Sequence, residues 1–476
     1  MVPIVRGRLN LQKNKKNLQN GKDEGSGMSV EQLFRINGGR KLSGGKVSIA
    51  GSSNQVTKCI IAALLTNEHI LIKNAPAVNE RKIAEELFAF LGGRVEYLDE
   101  HTIRLCANEV MKNSISRKIC QKNRISILAV GPLLHRFGKA YIYAALGGDK
   151  IGKRPVDFHI NGLIEMGAHV ELDDNLYHIS VDENGLRGAH IVLPFPSVMT
   201  TENLIIAATL AKGRTVIENA AIEPEVIELV KMLQKMGADI TMNANRTYII
   251  QGVDKLKGCE LRIMPDRNQA VSFACAALAT GGNVLLEKIP HDPLYSFLNY
   301  IQRMGAEFRV NSEGIFVSSP KGKRLKQSHI EVEVHPGFMT DWQQPFMVLF
   351  TQADGISILH ETIFEDRLGY THFLNSMGAN INLFSTCLGE APCRFKHKNH
   401  THSAIIHGPT PLKGGNFRMP TDIRAGMCLV IAGLVGSGPT ILSNIQELQR
   451  KYDNIVEKLN QMGADVSIIQ GTLTSV

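Results

Sequence analysis

Long apolar runs are absent from this 476-residue chain. No stretch approaches the roughly 18 residues that cross a bilayer, and the first residues lack the apolar core of a secretory leader. A cytoplasmic chain with no membrane partner is therefore expected. Paired cysteine spacing is also absent. Cys59, Cys106, Cys120, Cys259, Cys275, Cys387, Cys393 and Cys428 are scattered, several among aliphatic neighbours, as reduced core cysteines are. Tryptophan occurs once, and with 43% hydrophobic residues the composition is that of an ordinary globular enzyme. No zinc-finger or RNA-recognition spacing accompanies the formal charge of +8. Part of that charge lies in Arg6, Arg8, Lys13, Lys15 and Lys16, within residues 1–28, whose polar composition predicts a disordered basic tail. The modest remainder suits a cleft of arginines for phosphorylated substrates at least as well as nucleic acid, so no nucleic-acid partner is expected.

What the chain does have is repetition. One short phrase recurs six times: Leu91-Gly92-Gly93-Arg94-Val95, Met166-Gly167-Ala168-His169-Val170, Met236-Gly237-Ala238-Asp239-Ile240, Met304-Gly305-Ala306-Glu307-Phe308, Met377-Gly378-Ala379-Asn380-Ile381 and Met462-Gly463-Ala464-Asp465-Val466. Each closes an amphipathic stretch and opens a short alternating one, which predicts a helix ended by a positive-φ glycine and followed by a strand. Ahead of these helices lie small-residue runs leading into β-branched ones, such as Ala207-Ala208-Thr209-Leu210 before Thr215-Val216-Ile217. The period, about 70 residues, exceeds the roughly 20–50 of solenoid repeats, so six units in two domains of three are expected. The third unit's helix shows the pattern. Pro224 suits a first turn, Val226, Ile227, Val230 and Leu233 share one face, and Glu228, Lys231 and Lys235 take the other.

Three places depart from the repeat by adding glycine or polar residues, where function can be grafted onto a scaffold. Ala50-Gly51-Ser52-Ser53-Asn54 follows the strand-like Val47–Ile49 and opens a helix whose backbone N–H groups favour an anion; Ser52 or Ser53 reads equally well as a plain N-cap. Leu146-Gly147-Gly148-Asp149-Lys150-Ile151-Gly152-Lys153-Arg154-Pro155-Val156-Asp157 is too flexible and too charged for a core. It reads as a loop able to close over a ligand, with a long solvated loop as the alternative. The third is His335-Pro336-Gly337-Phe338-Met339-Thr340-Asp341-Trp342-Gln343, with Glu365-Asp366-Arg367 and Gln449-Arg450-Lys451-Tyr452 after equivalent strands; Asp341 also reads as an N-cap. Cys387, Cys393, His397, His400 and His402 cluster within residues 384–408, but their spacing fits no zinc pattern and reads as a surface insertion.

From about Phe34 onward the chain resembles the enolpyruvyl transferases, and among them the UDP-N-acetylglucosamine enolpyruvyl transferases. The resemblance is carried by Ser126-Ile127-Leu128-Ala129-Val130-Gly131-Pro132-Leu133-Leu134 with Arg136-Phe137-Gly138, by Gly152-Lys153-Arg154-Pro155-Val156-Asp157, by Glu218-Asn219-Ala220-Ala221-Ile222-Glu223-Pro224-Glu225 and by Pro265-Asp266-Arg267. It implies an α/β fold, a two-domain inside-out barrel of three βαβαββ repeats per domain, helices inside and sheets outside. Domain one would span 51–262, and domain two 29–50 plus 263–476, the chain crossing twice. It implies transfer of the enolpyruvyl group of phosphoenolpyruvate to the 3-hydroxyl of UDP-N-acetylglucosamine with release of phosphate, the first committed step of peptidoglycan synthesis. No metal or tightly bound cofactor is implied.

That reaction needs an acid for the methylene carbon, cations for phosphate and carboxylate, and a base near the attacking hydroxyl. The family's loop acid is usually a cysteine; the matching residue here is Asp149, and without a thiolate the chain is expected to resist the epoxide fosfomycin. Asn54, Arg124, Arg154, Asp157, Asp341, Arg424 and Arg450 match positions that hold phosphoenolpyruvate or the sugar nucleotide, with Asp341 beside the accepting hydroxyl. Pro155, Val156 and Phe158 flank that set, and Ser197, Val198 and Ile363 match the nucleotide pocket. Two lysines of the family are missing. Ser53 stands where one engages phosphoenolpyruvate, and Phe195 where another meets the nucleotide phosphates. Each loss costs on the order of 1.5–3 kcal/mol. Three readings follow: replacement charge from Lys58, Lys150 or Lys153, a different acceptor, or a paralogue that binds a sugar nucleotide without catalysis. The shikimate-pathway relatives differ in having a lysine after Gly-Ser and a Gly-Asn-Ala-Gly-Thr stretch, both missing here.

Overall fold

All six repeat glycines adopt the left-handed backbone that ends a helix, with φ of 109° at Gly92, 94° at Gly167, 102° at Gly237, 96° at Gly305, 104° at Gly378 and 93° at Gly463. In each, the glycine N–H and the next N–H turn back to helix carbonyls, as Gly237 does to Gln234 (2.9 Å) and Ala238 to Leu233 (2.9 Å). The helices so ended are Asn79–Leu91, Asp157–Glu165, Pro224–Lys235, Tyr295–Arg303, Thr371–Ser376 and Ile455–Gln461. In the first unit the residue after the turn is Gly93 instead of alanine, because a Cβ there would lie 2.3 Å from the Phe88 ring.

These observations come from a computed structural model that describes residues 31–149, 151–390 and 393–471. The tail at 1–28 and Lys150 lie outside the described residues.

The third unit shows the repeat whole. Strand His190–Val192 runs parallel to Arg214–Glu218, which pairs antiparallel with Thr247–Gln251, itself antiparallel to Asp239–Asn243. Helix Val198–Ala208 follows the first strand and Pro224–Lys235 the second, giving βαβαββ. The second unit has only three strands in its sheet; its first strand is reduced to a bridge between Ser114 and Tyr141. In the sixth, strand Glu31–Asn37 inserts between Pro439–Ser443 and Val466–Gly471.

The small-residue runs form inner helices. Every residue of Arg267–Ala279 is buried, and Ala270, Ala274 and Ala277 let it approach its neighbours Gln343–Gln352 and Ile423–Val435 closely. The sheets lie outside, so the molecule is a two-domain α/β protein with two hydrophobic cores. One is built from residues between Val56 and Ile263, the other from Phe34, Ile36, Leu42, Val47 and Ile49 together with residues between Ala270 and Val466.

The two bodies exchange a strand. Gly45–Ser48 pairs with Asn283–Glu287, whereas Cys259–Arg262 pairs with Ile70–Lys73. The two connecting segments then cross side by side: Ser52 N–H donates to the Met264 carbonyl (2.7 Å) and Asp266 N–H to that of Ala50 (2.8 Å). Gly51 is required at this crossing, since a Cβ would lie 2.0 Å from the Asn74 carbonyl oxygen. Beside it Arg267 holds Glu225 bidentately at 2.8 and 3.0 Å, fully buried, which accounts for the Glu223-Pro224-Glu225 and Pro265-Asp266-Arg267 stretches. All eight cysteines are free, and no helix among the described residues is long and apolar enough to cross a membrane.

Candidate active site

Most of the candidate residues gather where inner-helix starts and the described part of the loop at 144–156 meet across the two bodies. Ser52 is the N-cap of Ser53–Ala62, accepting from Gln55 N–H at 3.4 Å. Ser53 is buried inside the first turn, its hydroxyl without a hydrogen-bond partner among the described residues. Asn54 faces the cleft, its Oδ1 accepting from Lys451 Nζ at 2.6 Å.

The loop at 144–156 is docked on the second body. The Asp149 carboxylate lies 3.0 Å from Arg450 Nη1, and Lys153 N–H donates to Glu365 at 2.9 Å. Arg450 is shared further with Glu80 at 2.6 Å and Glu447 at 3.0 Å. Arg154, in the left-handed conformation with φ 45°, turns its guanidinium back to the Asp149 carbonyl at 3.2 Å. Arg124 opens a short helical turn capped by Asn123, and donates to the Pro155 carbonyl at 3.4 Å. Among the described residues neither Arg124 nor Arg154 forms an ion pair with a carboxylate within 4.0 Å. Burial first, and then the neighbouring Arg154, bring the Arg124 pKa down to about 10, the mark of a cation short of negative charge. Pro155 and Asp157 are exposed, Val156 is buried and precedes helix Asp157–Glu165, and Phe158 is half-buried.

On the opposite wall Asp341 is no helix cap. Its carboxylate takes Arg367 at 2.8 Å and Arg424 at 3.3 Å. Against burial, which raises it, Arg367 and then Arg424 hold the carboxyl well below the usual carboxylate range. Arg424 also donates to the Tyr452 hydroxyl at 3.2 Å, and its Nη2 is buried with no hydrogen-bond partner among the described residues. Lys451 feels Asp149, Glu80 and Asp341 as well as Arg424; burial first, then Arg424, lowers its pKa.

Ser197 caps the start of Val198–Ala208 without a capping bond, its hydroxyl 2.9 Å from Thr200 Oγ1. Ile363 lies across from it, its carbonyl accepting from Arg394, whose guanidinium stacks 4.8 Å from the centre of the Phe195 ring. Three further residues stand at this cleft without a role assigned from the sequence: Lys451, Arg394 and Arg367. Lys451 and Arg367 sat inside the stretches that drew notice; Arg394 lies in the insertion and carried no signal. Of the replacement cations considered, Lys58 points into the first body toward Glu202 at 3.9 Å, and Lys153 is exposed.

The chain matches the EPSP synthase (3-phosphoshikimate 1-carboxyvinyltransferase) family over residues 36–459. It is 41% identical to the UDP-N-acetylglucosamine 1-carboxyvinyltransferase of Protochlamydia amoebophila, covering 92% of this chain and 94% of the relative. It is 40% identical to the protein of the same name from Gluconobacter oxydans, over 91% and 98%. Among solved structures, the enolpyruvyl transferase NikO from Streptomyces tendae superposes with a TM-score of 0.81 at 21% identity, over 93% of this chain and 100% of that one. An EPSP synthase from Acinetobacter baumannii follows at 0.69 and 19%, over 92% and 100%. Sharing this fold, this family match and two-fifths of its residues with such relatives, the chain belongs to the EPSP synthase family of enolpyruvyl transferases.

Proposed function

We infer that this protein transfers the enolpyruvyl group of phosphoenolpyruvate to the 3-hydroxyl of UDP-N-acetylglucosamine, releasing phosphate and opening peptidoglycan synthesis. The observation that carries this reading is the pair Arg124 and Arg154, two half-buried guanidiniums with no carboxylate of their own beside a loop that brings in Asp149. Such a pair is preorganised for a compact polyanion. The roughly two-fifths identity with UDP-N-acetylglucosamine 1-carboxyvinyltransferases, over nine-tenths of the chain, supports the acceptor.

In this reading Arg124, Arg154 and Lys451 hold the phosphate, and the substrate carboxylate competes for Arg450. Asp149, freed from Arg450, delivers a proton to the methylene carbon. The sugar hydroxyl attacks the adjoining carbon while Asp341, ionised by Arg367 and Arg424, orients that hydroxyl and accepts its proton; the Asp149 carboxylate then takes a proton back from the new methyl group as the carbon–oxygen bond to phosphate breaks, which restores the double bond. Asn54 keeps the Lys451 ammonium directed into the cleft. Pro155, Val156, Asp157 and Phe158 form the loop-to-helix corner that sets Arg154, and Ser197, Val198 and Ile363 border the nucleotide, where Arg394 on Phe195 supplies the charge that residue 195 lacks.

Phosphate release from phosphoenolpyruvate tests this directly. Release is expected with UDP-N-acetylglucosamine and not with shikimate 3-phosphate, and Asp149→Ala should lower it at least a hundredfold, in the range of roughly 10²–10⁴ set by loss of a general acid. Unchanged turnover in Asp149→Ala, or covalent labelling of the native protein by fosfomycin, contradicts the assignment of the acid. Stabilisation by the nucleotide without release of phosphate would instead leave a binding protein.

A further inference from the structure

Away from the cleft, the fold brings together four side chains that the sequence keeps apart. His360 ends strand Gly355–His360, His402 immediately precedes the paired strand Ser403–Gly408, and Cys387 and Cys393 come from the insertion that joins Asn380–Phe384 to it. One ligand atom from each lies within 4.8 Å of all the others. Cys387 Sγ is 3.4 Å from His402 Nε2, close to the edge of about 3.5 Å expected of an S,N tetrahedron around zinc.

The surroundings fix these groups for metal. His402 directs Nδ1 to the His400 carbonyl at 2.7 Å, which fixes the tautomer that leaves Nε2 as a lone pair. His360, fully buried, has Nδ1 3.4 Å from the Glu331 carboxylate and an Nε2 that finds no hydrogen-bond partner among the described residues. A buried ring nitrogen left bare costs energy unless something takes its lone pair. The Cys393 sulfur accepts the Phe395 N–H at 3.4 Å, which holds it in place. His397 and His400 lie outside the set; His400 pairs with Asp366 at 3.0 Å.

We propose that His360, Cys387, Cys393 and His402 bind one zinc ion as a closed, four-ligand structural site. Two thiolates and two imidazoles suit zinc, and with all four positions filled by protein the ion has no open position for chemistry. Its effect is to pin the segments around Cys387 and Cys393 onto the sheet that holds Gly355–His360 and Ser403–Gly408. The turn at Cys393 carries Arg394, so the same ion fixes the guanidinium that spans Ile363 and Phe195.

Untagged protein, dialysed free of loosely held metal, should contain about one zinc per chain. Replacing zinc by cobalt(II) should give the intense visible bands of a tetrahedral site and thiolate-to-cobalt charge transfer in the near ultraviolet. Cys393→Ser and His360→Ala should each lower zinc content at least tenfold, as loss of one of four ligands does. Should either variant fail to fold, the cobalt spectrum of the native chain decides alone. A native protein that binds neither metal, a full zinc equivalent surviving in both variants, or a Cys387–Cys393 disulfide in freshly isolated protein would each overturn the proposal.

Discussion

At the scale of single residues, the proposed function assigns to Lys451 the charge that a lysine at position 53 would bring. Residue 53 is a buried serine, yet an ammonium reaches Asn54 from Lys451 on the opposite body. Lys451→Ala should raise the KM for phosphoenolpyruvate roughly ten- to a hundredfold, the worth of one charge-assisted contact, and adding Ser53→Lys in that background should recover most of it. Steady-state kinetics of the single and double variants checks this; a double variant no better than Lys451→Ala removes the exchange of roles. Asp149, Arg154, Asp341 and Arg450 were legible as candidates because each sits in a stretch that breaks the repeat, whereas Arg124 and Arg424 came only from the family resemblance. Lys451 was visible as a residue but not as a partner of Asn54, because nothing local links two side chains almost four hundred positions apart. The same physics hid the place of His360 beside Cys387, Cys393 and His402. Spacing counts only ligands near one another in sequence, and His360 arrives through strand pairing.

At the scale of elements, the repeated helix end is where sequence and structure agree most closely, because the signal is a backbone requirement that only glycine meets without cost. Gly237 tests it cleanly. Its φ is 102° and a Cβ there would meet nothing within 4 Å, so Gly237→Ala introduces conformational strain and no clash. It should cost about 1–2 kcal/mol, read as a lower thermal midpoint, with Gly237→Asn costing less. Gly92→Ala should cost more, since its Cβ would lie 2.4 Å from the Glu109 carbonyl oxygen. The elements that escaped the periodic reading are those set by pairing: the single-bridge remnant of the second unit's first strand, and the strand Glu31–Asn37, which belongs to a sheet formed with Val466–Gly471.

At the scale of the whole molecule, the junction between the two bodies is polar and buried. Glu225→Gln would leave Arg267 enclosed with its charge unmatched, at a cost of about 3–5 kcal/mol, measurable as an earlier denaturant midpoint. The pair Glu225→Leu with Arg267→Met should recover much of that loss, because two apolar side chains desolvate no charge. His335 at the same junction is held neutral, burial and then Arg267 bringing its pKa down to about 4 from 6.5. Between those values the unfolded chain binds the proton and the folded one does not, so acid should weaken the fold across that window, and less in His335→Gln. The closing strand Glu31–Asn37 has one more outcome, in time. It leaves the ribosome before almost everything else described, and its neighbours Pro439–Ser443 and Val466–Gly471 leave near the end. Throughout synthesis the nascent polypeptide therefore trails a bare β-edge that the finished first body cannot cover, a natural handhold for a chaperone and a seed for aggregation wherever translation stalls.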